Sequence, residues 1–114
     1  MKEIHHTTQA KYLWKYFEEI SKIPRPSKAE EKIKNYLIDF AIKNSFKYQT
    51  DEAMNVYIWV PGTKGLESRP SLIIQNHMDM VCDALPSKKV NFLEYILELK
   101  IENGWLKAQD TTLG

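Results

Sequence analysis

The chain has 114 residues, with 16 basic and 15 acidic side chains and a net charge of +1. This length favours one domain over residues 1–114. The interspersed charges argue against a nucleic-acid-binding tract or a surface for anionic membranes, and no apolar run approaches the roughly 20 residues of a membrane span. Cys82 has no second cysteine to pair with, which fits a reducing, cytoplasmic compartment.

The first predicted helix covers residues 8–22, where Leu13, Phe17 and Ile20 recur at helical spacing. The sequence "IPRP" ends this helix, because each proline fixes φ and removes a backbone donor. We expect "IPRPS" to form a rigid elbow between two helices. The adjacent His5 and His6 would point apart on a helix or strand, so a surface terminus is expected there.

A second helix is predicted to begin at Ser27. Ser27 and Glu30 match the capping-box pattern in "SKAE", in which each residue satisfies a backbone donor of the first turn. This helix should end near Asn44. Its apolar stripe consists of Ile33, Leu37, Phe40 and Ala41.

Beyond Phe46 the apolar pattern repeats every two residues, which predicts strands. In "NVYIWV" one face carries valine and isoleucine and the other carries Tyr57 and Trp59. "PGTKG" predicts a turn that reverses the chain, and "SLIIQ" predicts a strand buried on both faces. "YILELKIE" and "WLKAQ" flank Asn103 and Gly104, the strongest short signal for a hairpin. The expected fold is α/β, with two helices followed by a mixed sheet.

His77 and Asp79 follow the apolar run directly, in "SLIIQNHMDMVCD". In extended backbone, residues i and i+2 point to the same side, so both side chains should face one spot beyond the carboxyl end of the strand. Imidazole is a zinc ligand, and a neighbouring carboxylate can fix its tautomer. The spacing alone leaves two interpretations open, half of a metal site or a His–Asp hydrogen bond in a turn.

Four segments in sequence order carry a resemblance to a known family. They are "YFEEISKIPRPSKAEEKIKNYLIDFA", "DEAMNVYIWVPGTKG", "LIIQNHMDMVC" and "GWLKAQDTTLG". They resemble the N-terminus of the M20 metallopeptidases, most closely the cytosolic non-specific dipeptidases, also called aminoacyl-histidine or Xaa-His dipeptidases. The resemblance implies a zinc aminopeptidase-like (phosphorylase/hydrolase-like) fold, of which residues 1–114 would be an N-terminal fragment of the catalytic domain, without the lid or dimerisation domain.

The same resemblance implies a function and roles for two residues. It implies hydrolysis of Xaa-His and other dipeptides by a water activated between two zinc ions, in a cytoplasmic enzyme that forms a homodimer in full-length relatives. His77 would be a ligand of one zinc, and Asp79 would be a catalytic residue that supports this histidine. A glutamate elsewhere would act as general base. Neither a nucleic acid nor a membrane is an expected partner.

The sequence departs from the family pattern at Asn76 and Asp110, where the relatives have glycine. Asparagine tolerates positive φ better than most residues, and the carboxylate of Asp110 would either perturb the site or face water. The bridging aspartate of the family would lie two residues beyond Gly114, so we expect a truncated chain. We therefore expect at most weak single-site zinc binding and no significant peptidase activity from the 114 residues alone. The alternatives are a non-catalytic remnant, a partner-binding fragment, or one half of a split peptidase.

Overall fold

The structure is a computed structural model that describes residues 10–111. The two predicted helices are present as α1, Lys11–Ser21, and α2, Glu31–Lys43. The residues around His5 and His6 lie outside the described range, so the expectation for them stays a prediction. No helix within the described range is long and apolar enough to cross a membrane.

The helices pack through a small apolar contact beside a polar one. The rings of Tyr16 and Phe40 meet edge to face with centroids 5.6 Å apart, and the hydroxyl of Tyr36 donates to the carboxylate of Glu19 over 2.7 Å. The predicted stripe of α2 is confirmed at its two ends, where Ile33 is 3% exposed and Ala41 is fully buried. The stripe of α1 is covered only in part, because Leu13 remains exposed.

The predicted capping box at the start of α2 is wrong. The helix begins at Glu31, four residues after Ser27, and no side chain caps it. Lys28 has a φ of 70°, and its backbone N–H donates to the carboxylate of Glu30 over 2.7 Å. Glu30 therefore closes the turn before the helix, while the hydroxyl of Ser27 bonds to another part of the chain.

The first hairpin pairs β1, Lys47–Thr50, antiparallel with β2, Val56–Trp59. The predicted alternation along β2 is confirmed, since its valine and isoleucine are half-buried while Tyr57 and Trp59 are exposed. α2 contacts both strands of this hairpin. Asp51 holds the turn, because its two carboxylate oxygens accept from the backbone N–H and the side-chain amide of Asn55.

The second hairpin pairs β3, Leu99–Glu102, antiparallel with β4, Trp105–Ala108. Asn103 and Gly104 form its turn with φ values of 52° and 79°, the left-handed pair that a two-residue type I′ turn requires. The prediction of a hairpin around this Asn–Gly pair is confirmed.

The predicted mixed sheet does not form within the described residues, where the strands make two separate two-stranded sheets. The segment expected to be a doubly buried strand, residues 71–75, is not a strand, and its three aliphatic side chains are among the most exposed in the structure. Leu72 is 84% exposed, Ile73 89% and Ile74 78%. A central strand needs a partner at each edge and a cover on each face. Both hairpins pair only internally, so no described element provides them.

The apolar core of the described residues is correspondingly small. Its buried apolar side chains are Ile33, Ala41, Met80 and Leu97. Burial of apolar surface is the main favourable contribution to folding, and much of that surface here remains in contact with solvent. The observed fold is therefore a small α/β unit, in which α2 packs on the first hairpin, α1 packs on α2, and the second hairpin follows in sequence.

Candidate functional site

The elbow between α1 and α2 lies against the segment that contains His77 and Asp79. The backbone N–H of Met80 donates to the carbonyl of Arg25 over 2.9 Å, and Met80 forms an isolated parallel bridge with Pro26. The side chain of Met80 is 6% exposed. These contacts fix the backbone directly after Asp79 onto a segment whose φ angles are restricted by proline.

The side chains of His77 and Asp79 meet, as their spacing predicts. Nδ1 of His77 lies 2.8 Å from Oδ1 of Asp79 and 3.0 Å from the Asp79 carbonyl oxygen. Both acceptors require a proton on Nδ1, so the neutral ring in this arrangement keeps its lone pair on Nε2. The side chain of His77 is 79% exposed. The geometry thus presents an accessible imidazole nitrogen in the tautomer that a metal ligand needs.

Ser27 occupies the second oxygen of the same carboxylate. Its hydroxyl donates to Oδ2 of Asp79 over 2.5 Å. The hydrogen bond from Ser27, followed by that from His77, lowers the pKa of the Asp79 carboxyl. Asp79 is therefore ionised near neutral pH and can accept from both neighbours at once.

Arg25 adds a positive charge near this carboxylate. Burial lowers the pKa of its guanidinium, and the negative charge of Asp79 partly opposes that shift. Nη2 of Arg25 lies 3.9 Å from the sulfur of Met80, and its buried Nε has no hydrogen-bond partner among the described residues. An arginine remains protonated at any physiological pH, so the Asp79 carboxylate interacts electrostatically with the charge of Arg25 as well as with the imidazole of His77.

Cys82 takes no part in the hydrogen bonds of His77 and Asp79. Its thiol is half-buried and donates to the carbonyl of Met80 over 3.3 Å. Burial raises the pKa of this thiol, which keeps it protonated and poorly reactive.

The described residues could provide one zinc ligand, His77, and the carboxylate that orients it, Asp79. They do not provide a complete zinc site. A zinc site in a protein has three or four ligands. Within residues 10–111, no group of three or more histidine, cysteine, aspartate or glutamate side chains could hold a metal ion. Nε2 of His77 is the atom available to bind a metal ion. The two carboxylate oxygens of Asp79 are already hydrogen-bonded to Ser27 and His77.

The two departures from glycine behave differently in the structure. Asn76 is not among the residues with positive φ, so its backbone does not use the freedom that glycine would give. Asp110 has a φ of 60°, in the left-handed region, and is exposed. Its carbonyl accepts the backbone N–H of Leu85 over 3.0 Å, and its carboxylate accepts from the amide of Gln109.

Sequence reasoning missed Ser27 and Arg25 as neighbours of the site. Ser27 is 52 positions from Asp79, and no short-range spacing connects residues so far apart. The signal available was the "IPRPS" segment, whose residues were assigned only to an elbow and to a helix cap.

No family model matches the chain. The chain is similar to the cytosol non-specific dipeptidase of Escherichia coli K12, with 34% identity over 102 residues that cover 90% of this chain and 21% of the relative. Its backbone is similar to the crystal structure of aminoacylhistidine dipeptidase from Vibrio alginolyticus, with a TM-score of 0.89, 32% identity, and coverage of 100% of this chain and 24% of that chain.

The chain thus spans between a fifth and a quarter of the length of these relatives. Both matches extend over nearly all of its residues, and they agree with the four segments that carried the resemblance. They confirm the resemblance found in the sequence: nearly the whole chain is similar to one segment of a cytosol non-specific dipeptidase and of an aminoacylhistidine dipeptidase.

Proposed function

We propose that this chain contributes one corner of the active site of a metal-dependent dipeptidase. In this proposal His77 is a zinc ligand through Nε2, and Asp79 is the catalytic-site carboxylate that supports it. The observation that carries the proposal is the 2.8 Å contact between Nδ1 of His77 and Oδ1 of Asp79, which leaves Nε2 unprotonated. The similarity to two proteins named as dipeptidases supports the reaction class.

Asp79 has two tasks in this proposal. By accepting the Nδ1 proton it holds the imidazole in one tautomer and one ring orientation, and its negative charge makes Nε2 more basic. A zinc pair, when bound, would lower the pKa of a water molecule and polarise the scissile carbonyl. The general base would be a glutamate outside this segment, and the substrates would be Xaa-His and other dipeptides.

The proposal places the chain within a larger cytoplasmic enzyme, with a zinc aminopeptidase-like catalytic domain, a lid and a homodimer. A cleft of about 430 Å³ adjoins the elbow, where Pro26, Lys28 and Lys32 are among its lining residues. Neither His77 nor Asp79 lines it. The walls that bind a dipeptide next to His77 would therefore come from further parts of the full enzyme.

The 114 residues alone are proposed to be inactive as a peptidase. Structural zinc sites in proteins bind with roughly 10 kcal/mol or more, through three or four ligands acting together. One histidine with a supporting carboxylate supplies a small part of that. Zinc binding by the isolated chain should be weak and should involve a single ion.

An exchange experiment tests this function. This chain would replace the segment that it matches in the E. coli dipeptidase, giving a chimera in which the relative provides the other ligands. We expect the chimera to hydrolyse an Xaa-His dipeptide in a zinc-dependent way. The change His77→Ala should lower kcat/KM by about 100-fold or more, whereas the control His6→Ala should leave it unchanged. Equal activity of the two variants would refute the role of His77.

A second candidate function is favoured by the exposed segment of Leu72, Ile73 and Ile74. An extended apolar segment with free edges can add to the sheet of another polypeptide. This chain would then be a partner-binding fragment, or half of a split peptidase whose second polypeptide provides the missing ligands. Mixing the purified chain with the remaining part of the E. coli enzyme separates these cases, since only a split peptidase gains zinc-dependent hydrolysis.

A further inference from the structure

We propose that Ser27 is a positioning residue of the site, whose hydroxyl holds the carboxylate of Asp79 in the rotation that accepts the Nδ1 proton of His77. Ser27 would thereby set the tautomer of a histidine that it does not touch. The consequence for zinc binding rests on the function proposed above. The effect on the tautomer does not, because it needs no metal.

The two hydrogen bonds of Asp79 use different oxygens. Ser27 donates to Oδ2 over 2.5 Å, while His77 faces Oδ1 at 2.8 Å. The first distance is typical of an O–H···O⁻ bond to an ionised carboxylate, among the stronger hydrogen bonds in proteins. The terminal torsion of an aspartate is soft and nearly two-fold. Without a partner on Oδ2, the carboxylate plane would not be fixed relative to the imidazole.

The backbone of the elbow gives Ser27 its position. Pro24 and Pro26 restrict two of the three residues before Ser27, and the carbonyl of Arg25 accepts the backbone N–H of Met80 over 2.9 Å. The elbow therefore contacts the site segment at two points, once through backbone at Met80 and once through the side chain of Ser27 at Asp79. Two attachment points fix an orientation that a single hydrogen bond would leave free.

The hydroxyl of Ser27 has no competing structural task. The helix that it was predicted to cap begins at Glu31 and has no side-chain cap. The carboxylate of Glu30, the partner expected in a capping box, accepts from Lys28 instead. Removing the hydroxyl should therefore change the site without removing a helix cap.

A matched pair of variants tests this role, because threonine and valine have the same shape but only threonine keeps a hydroxyl. Ser27→Thr and Ser27→Val are made with His5→Gln and His6→Gln, so that His77 is the remaining histidine of the three in the chain. Its ring nitrogens are observed by ¹⁵N NMR about two pH units above the usual histidine pKa of about 6.5. The tautomer ratios are compared at a pH above which the ring ¹⁵N resonances of each variant no longer change, so that only the two neutral tautomers are counted.

We expect the ratio of the Nδ1–H to the Nε2–H tautomer to fall about two- to tenfold in Ser27→Val, the range set by a typical net hydrogen bond, and to remain near the wild-type value in Ser27→Thr. Ser27→Ala, which is smaller than serine and introduces no clash, should reproduce the fall. A purely structural serine would shift the unfolding midpoint and leave the tautomer ratio unchanged. Equal ratios in the threonine and valine variants would overturn the proposal.

A zinc titration of the same samples separates this proposal from the proposed function. The Nε2 resonance of His77 should respond to zinc, with weaker affinity in Ser27→Val than in Ser27→Thr. If zinc never shifts Nε2 while the tautomer ratios differ as expected, the role of Ser27 stands and the metal-ligand role fails. If zinc binds Nε2 equally in both variants and their tautomer ratios agree, the metal-ligand role stands and that of Ser27 fails.

Discussion

The backbone N–H of Met80 donates to the carbonyl of Arg25 over 2.9 Å, although 55 positions separate the two residues. This bond fixes the segment that carries His77 and Asp79 to the elbow between the helices. The arrangement of the imidazole and the carboxylate therefore depends on a part of the chain that precedes them by about half its length.

Zinc binding by the isolated chain should be weak. With His5 and His6 replaced by glutamine, we expect a zinc dissociation constant above about 10 μM, which corresponds to less than about 7 kcal/mol of binding free energy. The reason is that His77 is the single nitrogen donor offered by the site. Isothermal titration calorimetry measures this constant, with His77→Gln as the control that removes the remaining donor. Nanomolar binding would mean that the described residues contain a ligand set that their geometry does not indicate.

The turn of the first hairpin should lose stability in acid through Asp51. The side-chain amide of Asn55, then its backbone N–H and the hydroxyl of Tyr57, lower the pKa of the Asp51 carboxyl. A carboxyl with a depressed folded pKa stabilises the fold above its unfolded pKa of about 3.9, and this contribution is lost as the pH falls through the folded value.

The measurement for Asp51 is the difference in unfolding free energy between the wild type and Asp51→Asn, from about pH 6 to about pH 3. We expect the wild type to be the more stable at the upper end and the difference to shrink toward zero at the lower end. Asp39→Asn removes an exposed carboxylate from α2 and controls for the change in net charge. A difference that stays constant with pH would contradict the assigned hydrogen bonds.

Replacing Gly104 should destabilise the second hairpin because of its left-handed backbone conformation, and not because a larger side chain would meet other atoms. Gly104 has a φ of 79°, and apart from its own residue and its two chain neighbours no heavy atom lies within 4 Å of the position that a Cβ would occupy. Gly104→Ala should therefore cost about 1–2 kcal/mol through the left-handed backbone alone. Gly104→Asn should cost less, because asparagine tolerates this region. Chemical denaturation of the three proteins gives the order, and equal stability of all three would contradict the type I′ turn.

The exposed aliphatic segment should drive self-association of the isolated chain. Leu72, Ile73 and Ile74 are each more than three-quarters exposed, and contiguous exposed apolar surface promotes association. We expect concentration-dependent oligomers in sedimentation velocity that Ile73→Lys reduces. Gln75→Lys adds the same charge to the same segment without removing an aliphatic side chain, and serves as the control. A wild-type chain that is monomeric at every concentration would count against an interaction role for this segment.

Local signals predicted much of this fold. The helical spacing in α2, the alternation in β2 and the Asn103–Gly104 turn each depend on residues within a few positions of one another, and each is confirmed. The contact between His77 and Asp79 is also local, because it follows from the two-residue period of extended backbone.

The predictions that failed depend on distant partners. Whether residues 71–75 become a buried strand is decided by neighbouring strands and covering helices, which no pattern inside the segment specifies. Whether the hydroxyl of Ser27 caps a helix or bonds to Asp79 is decided by a residue 52 positions away. In both cases the sequence shows a feature, an apolar run or a serine hydroxyl, and residues distant in the chain decide what that feature contacts.

The central claim is that His77 binds zinc through Nε2 while Asp79 holds its Nδ1 proton. The most direct test is the zinc content of the purified chimera, compared among the unchanged protein, His77→Ala and Asp79→Asn. We predict a full zinc complement in the first, loss of zinc in the second, and affinity reduced by about 10- to 100-fold in the third. Full zinc occupancy in His77→Ala, at the affinity of the unchanged chimera, would contradict the account.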